Sequence, residues 1–208
     1  MARNVLLAVV VILAGVATAS AGPSPWMTTG GPTSQPIGHY ELCQRSPTEC
    51  DEITRDGHAY ALTRPAWKMI IDVNNIVNTT IKPMTDIQQY GVDDYWTYPD
   101  SGFGDCEDYA MLKRRKLMEK GVPAGDLLMT VVRQANGDGH AVLTVRTDHG
   151  DFILDNLDPR VRLWSRTNYR YLKRQSETNS GIWVSIEDGE PALVGSIGQQ
   201  RIAQKDHQ

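Results

Sequence analysis

Apolar residues recur at helical spacing between Pro65 and Thr79, where Trp67, Ile70, Ile71 and Val77 form one stripe and predict an amphipathic helix. Pro65 suits its first turn, because a proline there forfeits no intrahelical hydrogen bond. Asn74 falls inside the stripe, so two readings stay open for it: a core amide satisfied by backbone, or a catalytic amide. A second helix is predicted from Cys106 or Glu107 to Lys120, a run of strong helix formers that Gly121-Val122-Pro123 closes. Tyr109, Ala110 and Leu117 lie on the same helical face as Cys106, which turns that face toward the core. Beyond Pro123 the pattern shortens to strands at Leu127–Val132, His140–Arg146, Asp151–Asp155 and near Ile182–Ile186. Gln134–Gly139 and Thr147–Gly150 read as the loops between the first three. Helices first and an antiparallel sheet afterwards define an α+β domain.

The flanks are different. Residues 1–21 combine Arg3, an uncharged run from Val5 to Ala17, and Ala19-Ser20-Ala21, the pattern of a signal peptide with its cleavage site. The apolar run is short for a membrane span, so no stable membrane insertion is expected once the signal is cleaved. Residues 22–37, rich in Pro, Gly, Ser and Thr, read as a flexible lead-in, and 195–208 as a polar tail. Between them, 38–194 has the size of one domain. Removing the signal takes away Arg3 and no acid, so the formal charge of −4 becomes −5. An acidic exported chain gives no support for nucleic-acid binding. Export also bears on the three cysteines. In an oxidising compartment the near pair, Cys43 and Cys50, reads as a disulfide, and their spacing does not suit zinc. That leaves Cys106 as the thiol to explain.

Cys106 follows Tyr98–Gly104, a segment rich in turn residues, and stands at a helix start. Unpaired N–H groups and the positive end of the macrodipole there favour a thiolate. Asp105, Glu107 and Asp108 oppose that charge unless something neutralises them. The hairpin supplies a ruler for possible partners. If Thr147–Gly150 is a four-residue turn, Arg146 pairs with Asp151, Asp155 lies opposite Val142, and His140 is its diagonal neighbour within side-chain reach. Packing the Cys106 helix on that face would assemble a Cys-His-Asp set: Cys106 as nucleophile, His140 as base and then acid, Asp155 as orienter of the imidazole. Each residue alone has a plain structural explanation; the combination with an unpaired exported thiol favours catalysis. His39, His58, His149 and His207 lack a comparable partner set. The Cys106 backbone N–H is a natural oxyanion donor. Trp96 and Asn74, Asn75 or Asn78 are candidates for a second, with core packing as the alternative role for Trp96.

Val73-Asn74-Asn75, Tyr90-Gly91, Trp96, Gly104-Asp-Cys-Glu-Asp-Tyr-Ala110, Gly139-His-Ala-Val-Leu143 and Leu154-Asp-Asn156 together closely resemble the bacterial transglutaminase-like cysteine peptidases, over roughly Gly38 to Tyr171. The resemblance implies a papain-like fold in its transglutaminase-core form, with Cys106, His140 and Asp155 as catalytic residues. It further implies Ca²⁺ beside the cysteine, held by Asp105, Glu107 and Asp108; from the residues alone these acids equally well complement the helix dipole. Its implied partners are a large surface adhesin, cut near its N-terminus within an Ala-Ala pair, and an inner-membrane cyclic di-GMP receptor as inhibitor. A periplasmic location and a role in biofilm attachment follow from the same likeness. Two other functions stay open at this point: transglutaminase or glutamine deamidase chemistry through the same thioester, and a binding module without turnover.

Overall fold

The computed structural model describes residues 24–53 and 57–187; the expected signal peptide (1–21) and polar tail (195–208) lie outside the described residues. In chain order the strands are β1 (Thr28–Thr33), β2 (Lys82–Pro83), β3 (Phe103–Gly104), β4 (Leu127–Arg133), β5 (Gly139–Thr147), β6 (Gly150–Leu154), β7 (Arg162–Leu163), β8 (Arg170–Gln175) and β9 (Trp183–Glu187). The helices are α1 (Ile37–Arg45), α2 (Arg64–Thr80), α3 (Asp86–Tyr90) and α4 (Cys106–Glu119). Seven strands make one sheet in the order β1-β9-β8-β4-β5-β6-β7, with every pairing antiparallel. The chain is thus α+β, with helices packed on an antiparallel sheet.

Side-chain parity splits the buried apolar residues into two groups. Ile70, Val73 and Val77 of α2 meet Tyr109 and Leu117 of α4, Met129 of β4, Leu143 of β5 and Leu154 of β6 in the larger core. The opposite sheet face gathers Val132, Val142, Ile153, Tyr171 and Ile186 with Met27 and Trp164. Strand alternation requires this division, since a step of one residue moves a side chain to the other face. In α2, the Thr63 side chain caps the helix by accepting from the Ala66 N–H, with Pro65 in the first turn.

The lead-in expected over 22–37 is corrected in part. Thr28–Thr33 is an edge strand paired with β9, with a register shift between Thr29 and Pro32. Gly30, Gly31 and Pro32 argue locally against a strand, but an edge position needs hydrogen bonds on one side only and tolerates proline. Its register fits Gly30 to its neighbours, because a Cβ there would lie 2.4 Å from Ser185 Oγ. β8 was also not legible in Arg-Tyr-Leu-Lys-Arg-Gln, whose charges hide the buried Tyr171 and Arg174.

Cys43 and Cys50 form a disulfide with Cα atoms 5.6 Å apart. Closing so short a loop contributes about 2.5 kcal/mol on the chain-entropy account. Beside it, His39 is buried between the rings of Trp96 and Trp183. Burial, and then the Arg114 charge, lower its pKa to about 4, so this imidazole is a neutral packing element.

Candidate active site

The turn that presents Cys106 is held from both sides. β2 and β3 pair in parallel, Lys82 with Phe103 and Pro83 with Gly104, and the Met84 N–H donates to the Gly104 carbonyl at 3.0 Å. Gly104 is needed because a Cβ there would lie 2.7 Å from Asp108 Oδ2. α4 then opens at Cys106 with Asp105 as N-cap in extended conformation and without a side-chain cap bond. Its first-turn N–H groups are therefore not satisfied by a capping side chain, and the macrodipole meets the thiol directly.

Opposite the thiol is the β5–β6 hairpin. Arg146 pairs with Asp151 and Leu143 with Leu154, the register that the Thr147–Gly150 turn predicts. His140 Nε2 lies 2.9 Å from Asp155 Oδ1, with both side chains 3 % exposed. The carboxylate can only accept, so Nε2 carries the proton and Nδ1 keeps the free lone pair. The Ala141 N–H donates to Cys106 Sγ at 3.4 Å, which sets the thiol against the His140–Ala141 peptide. One expectation fails in detail. His140 pairs with Val132 on the face away from the helices, while α4 packs with Leu143 and Leu154 on the other. The first residue of α4 instead reaches the start of β5, where Cys106 Sγ touches the Ala141 N–H next to His140.

Asp155 is further engaged by the Tyr169 hydroxyl and by the Leu157 N–H at 2.9 Å. Burial works against its charge, but the bonds from His140, Tyr169 and Leu157 outweigh that and hold the carboxyl below the usual range. The Tyr169 ring also packs on His140, centroids 5.6 Å apart. No motif announced Tyr169; it comes from the far side of the β7 crossing and is visible only in three dimensions.

The Trp96 indole, a candidate oxyanion donor from the sequence, is already engaged. Its indole N–H donates to Asp94 at 2.8 Å and its ring is part of the core. The Asn74 amide donates to the Pro159 carbonyl at 3.1 Å and that of Asn78 to the Asp155 carbonyl at 2.7 Å, while Asn75 is exposed. Both amides thus brace the chain from Asp155 to Pro159, and the buried Asn74 donates to backbone as a core amide would.

The acids around the thiol divide. Carboxylate oxygens of Asp86, Asp105 and Glu107 lie within 4.8 Å of one another. Asp108, the third acid expected as a ligand, is fully buried beside this group: its Oδ1 accepts from the Thr97 N–H at 3.0 Å, its Oδ2 has no hydrogen-bond partner, and the charges of Asp105 and Asp86 act on it. Asp86, not expected from the sequence, joins Asp105 and Glu107. Its N–H donates to Asp105 at 3.3 Å and its carboxylate accepts from the Tyr95 N–H. In sequence Asp86 reads only as the first residue of a capped helix, Thr85-Asp-Ile-Gln88, which is also what it is. Burial, then the Asp105 charge, pushes Glu107 up to about 9, and burial pushes Asp108 up to about 8. Asp105 and Asp86 are raised for the same first reason. The Cys106 thiol donates to Glu107 at 3.1 Å; burial and that neighbouring carboxylate push its own pKa well up. All-oxygen donors, like charges crowded together and an Asp105 Oδ1 without a hydrogen-bond partner suit a hard cation of the calcium type.

A cysteine at a helix start, set against the His140–Ala141 peptide, with that histidine held by a buried aspartate, fits a cysteine peptidase of papain-like, transglutaminase-core type. The family described as bacterial transglutaminase-like cysteine proteinase BTLCP matches residues 29–191, and the chain belongs to it. Among solved structures it is similar to calcium-bound Legionella pneumophila LapG, with 27% identity, a TM-score of 0.51, and coverage of 63% of this chain and 75% of that one. The EGTA-treated form of the same protein matches with 28% identity, a TM-score of 0.50, and coverage of 61% and 74%. No curated protein matches the chain.

Proposed function

We propose that this chain is a calcium-dependent endopeptidase of the periplasm that cuts the N-terminal region of a large surface adhesin near an Ala-Ala pair, freeing it from the outer membrane and so controlling biofilm attachment. An inner-membrane cyclic di-GMP receptor is the proposed inhibitor. The observation that carries the reading is the thiol of Cys106 set between the His140–Ala141 peptide and the Asp86–Asp105–Glu107 cluster. The first contact brings the thiol beside the residue proposed as base; the second supplies a reason for metal dependence, because uncompensated carboxylates beside a half-buried thiol disfavour the thiolate.

In the reaction, His140 Nδ1 takes the thiol proton and Cys106 Sγ attacks the scissile carbonyl carbon. The oxyanion is met by the Cys106 N–H at the helix start. Imidazolium charge is stabilised by Asp155, which Tyr169 and the Leu157 N–H keep ionised. The proton then passes from Nδ1 to the leaving amine, and water, deprotonated by the same nitrogen, hydrolyses the thioester. Asp86, Asp105 and Glu107 are the residues that would hold Ca²⁺. Bound there, the ion would supply positive charge that offsets the acids and orders the turn.

The test is intact-mass analysis of a candidate adhesin N-terminal segment incubated with the mature protein, with calcium, with chelator, and with Cys106→Ala. Two discrete fragments that require both calcium and Cys106 are expected. An uncut segment that gains mass only when an amine is present would move the chain to amine transfer, and a uniform gain from deamidation to glutamine hydrolysis.

A further inference from the structure

One feature of the surface is not used by the chemistry above. Beyond Asp155 and Tyr169 the sheet face opposite α4 opens into a cleft of about 360 Å³, lined by Arg160, Arg162 and Arg166. The same three arginines line a second hollow of about 600 Å³ that continues past Trp67 and Phe152. The first of these grooves also reaches Asp155 and Tyr169, and the three arginines are common to both. Three guanidinium groups within seven residues of sequence are unusual for a chain whose formal charge is −4.

The local charges do not cancel. Asp158 accepts from Arg160, at 2.9 Å and 3.1 Å, and from Arg162 at 2.8 Å, so one carboxylate is shared by two cations. The remaining acid on the cleft wall, Asp155, is already committed to His140, Tyr169 and the Leu157 N–H. Arg166 is exposed and forms no hydrogen bond or ion pair among the described residues. Asp158 also fixes Arg160 and Arg162 in place, which lowers the entropy lost when a further anion binds. An arginine fork matches carboxylate geometry with two parallel N–H donors.

We infer that this groove is a subsite for acidic side chains of the polypeptide substrate, with Arg166, and the free edges of Arg160 and Arg162, as the residues that select them. The inference rests on the endopeptidase reading for its occupant. A peptide is favoured over an anionic membrane because the arginines line a concave groove whose wall includes Asp155 and Tyr169, not a flat face. Aspartate or glutamate a few residues from the scissile bond would then be read by this cleft, and the substrate drawn in by long-range attraction that salt weakens.

The experiment uses peptides with an Ala-Ala core and a pair of Asp residues stepped along either side, each matched by an Asn-Asn version. Binding is measured by fluorescence anisotropy on the mature Cys106→Ala protein with calcium; cleavage is measured on the wild type. At the positions that reach the groove, the acidic peptide is expected to bind about ten-fold more tightly, a preference that Arg166→Ala reduces to roughly two-fold and that added salt erodes. Arg166→Glu should invert the preference toward a Lys-Lys peptide, a result that a damaged fold cannot produce. Equal binding of acidic and neutral peptides at every position overturns the inference while leaving the peptidase intact. Selective, Arg166-dependent binding with no cleavage by the wild type would keep the subsite and remove the endopeptidase reading. An acidic preference that Arg166→Ala and Arg166→Glu both leave unchanged overturns the assignment to this groove.

Discussion

Asp86→Asn should change stability in opposite directions with and without calcium. Carboxylate oxygens of Asp86, Asp105 and Glu107 lie within 4.8 Å of one another, and at that distance two full charges repel by roughly 3 kcal/mol in an effective dielectric near 20. Protonation of Glu107, whose pKa burial and Asp105 raise to about 9, already relieves part of this. The amide should therefore recover only about 1–2 kcal/mol in chelator, equivalent to roughly 2–8 °C in Tm for a chain of this size. Asparagine keeps an oxygen for the Tyr95 N–H that Asp86 now accepts, so the local fold is retained. With calcium at one hundred times its Kd, the wild type gains about 2.7 kcal/mol, or roughly 5–10 °C. The variant, short of one anionic ligand, should gain much less. Differential scanning fluorimetry in chelator and in millimolar calcium reads the crossover: the variant melts above the wild type without the ion and below it with the ion. An equal shift in both media would reduce Asp86 to a helix-start residue and refute the ligand assignment.

Tyr169→Phe removes the hydroxyl donor to Asp155 and leaves the ring on His140. A lost hydrogen bond to a charged group costs about 1.5–3 kcal/mol, so kcat/KM should fall by roughly ten-fold or more with KM little changed. Because that bond helps hold the Asp155 carboxyl down, its loss raises the pKa and moves the acid limb of the kcat/KM profile to higher pH; an unmoved limb would show that Tyr169 only packs. Lys113 in α4 is 1 % exposed, and burial lowers its pKa to about 7 against the opposing pull of Asp155. The unfolded chain then binds the extra proton between about pH 7 and the ordinary lysine value near 10.4, so this residue's destabilisation is full below pH 7 and fades as pH rises. Lys113→Met should be the more stable protein at pH 7 by about 1–4 kcal/mol and should lose that advantage toward pH 10. Urea midpoints at pH 7 and 9.5 check this, and parallel pH dependence in the two proteins would refute it.

Several parts of this protein follow from local chemistry and are therefore readable in the chain. Helix α2 follows from its apolar stripe, and α4 from a run of helix formers between a turn and Gly121-Val-Pro123. The β5–β6 register follows from one short turn, which is why Arg146 meets Asp151 and His140 comes within reach of Asp155. The near cysteines could be paired because one short loop joins them. What tertiary structure decided is every relation that depends on which elements pack together. Thr28–Thr33 is a strand because β9 offers it an edge, although its own residues favour a loop. Cys106 meets the His140–Ala141 peptide at the start of β5 and not across one sheet face, since α4 packs on the Leu143 side. Asp86 joins the acidic cluster because α3 docks against the Cys106 turn. Trp96 is spent on Asp94 and the core, and Tyr169 reaches Asp155 from the loop before β8. A residue's own neighbours in sequence set its conformation, whereas the partners of a buried polar atom are set by whatever the burial of apolar faces brings beside it.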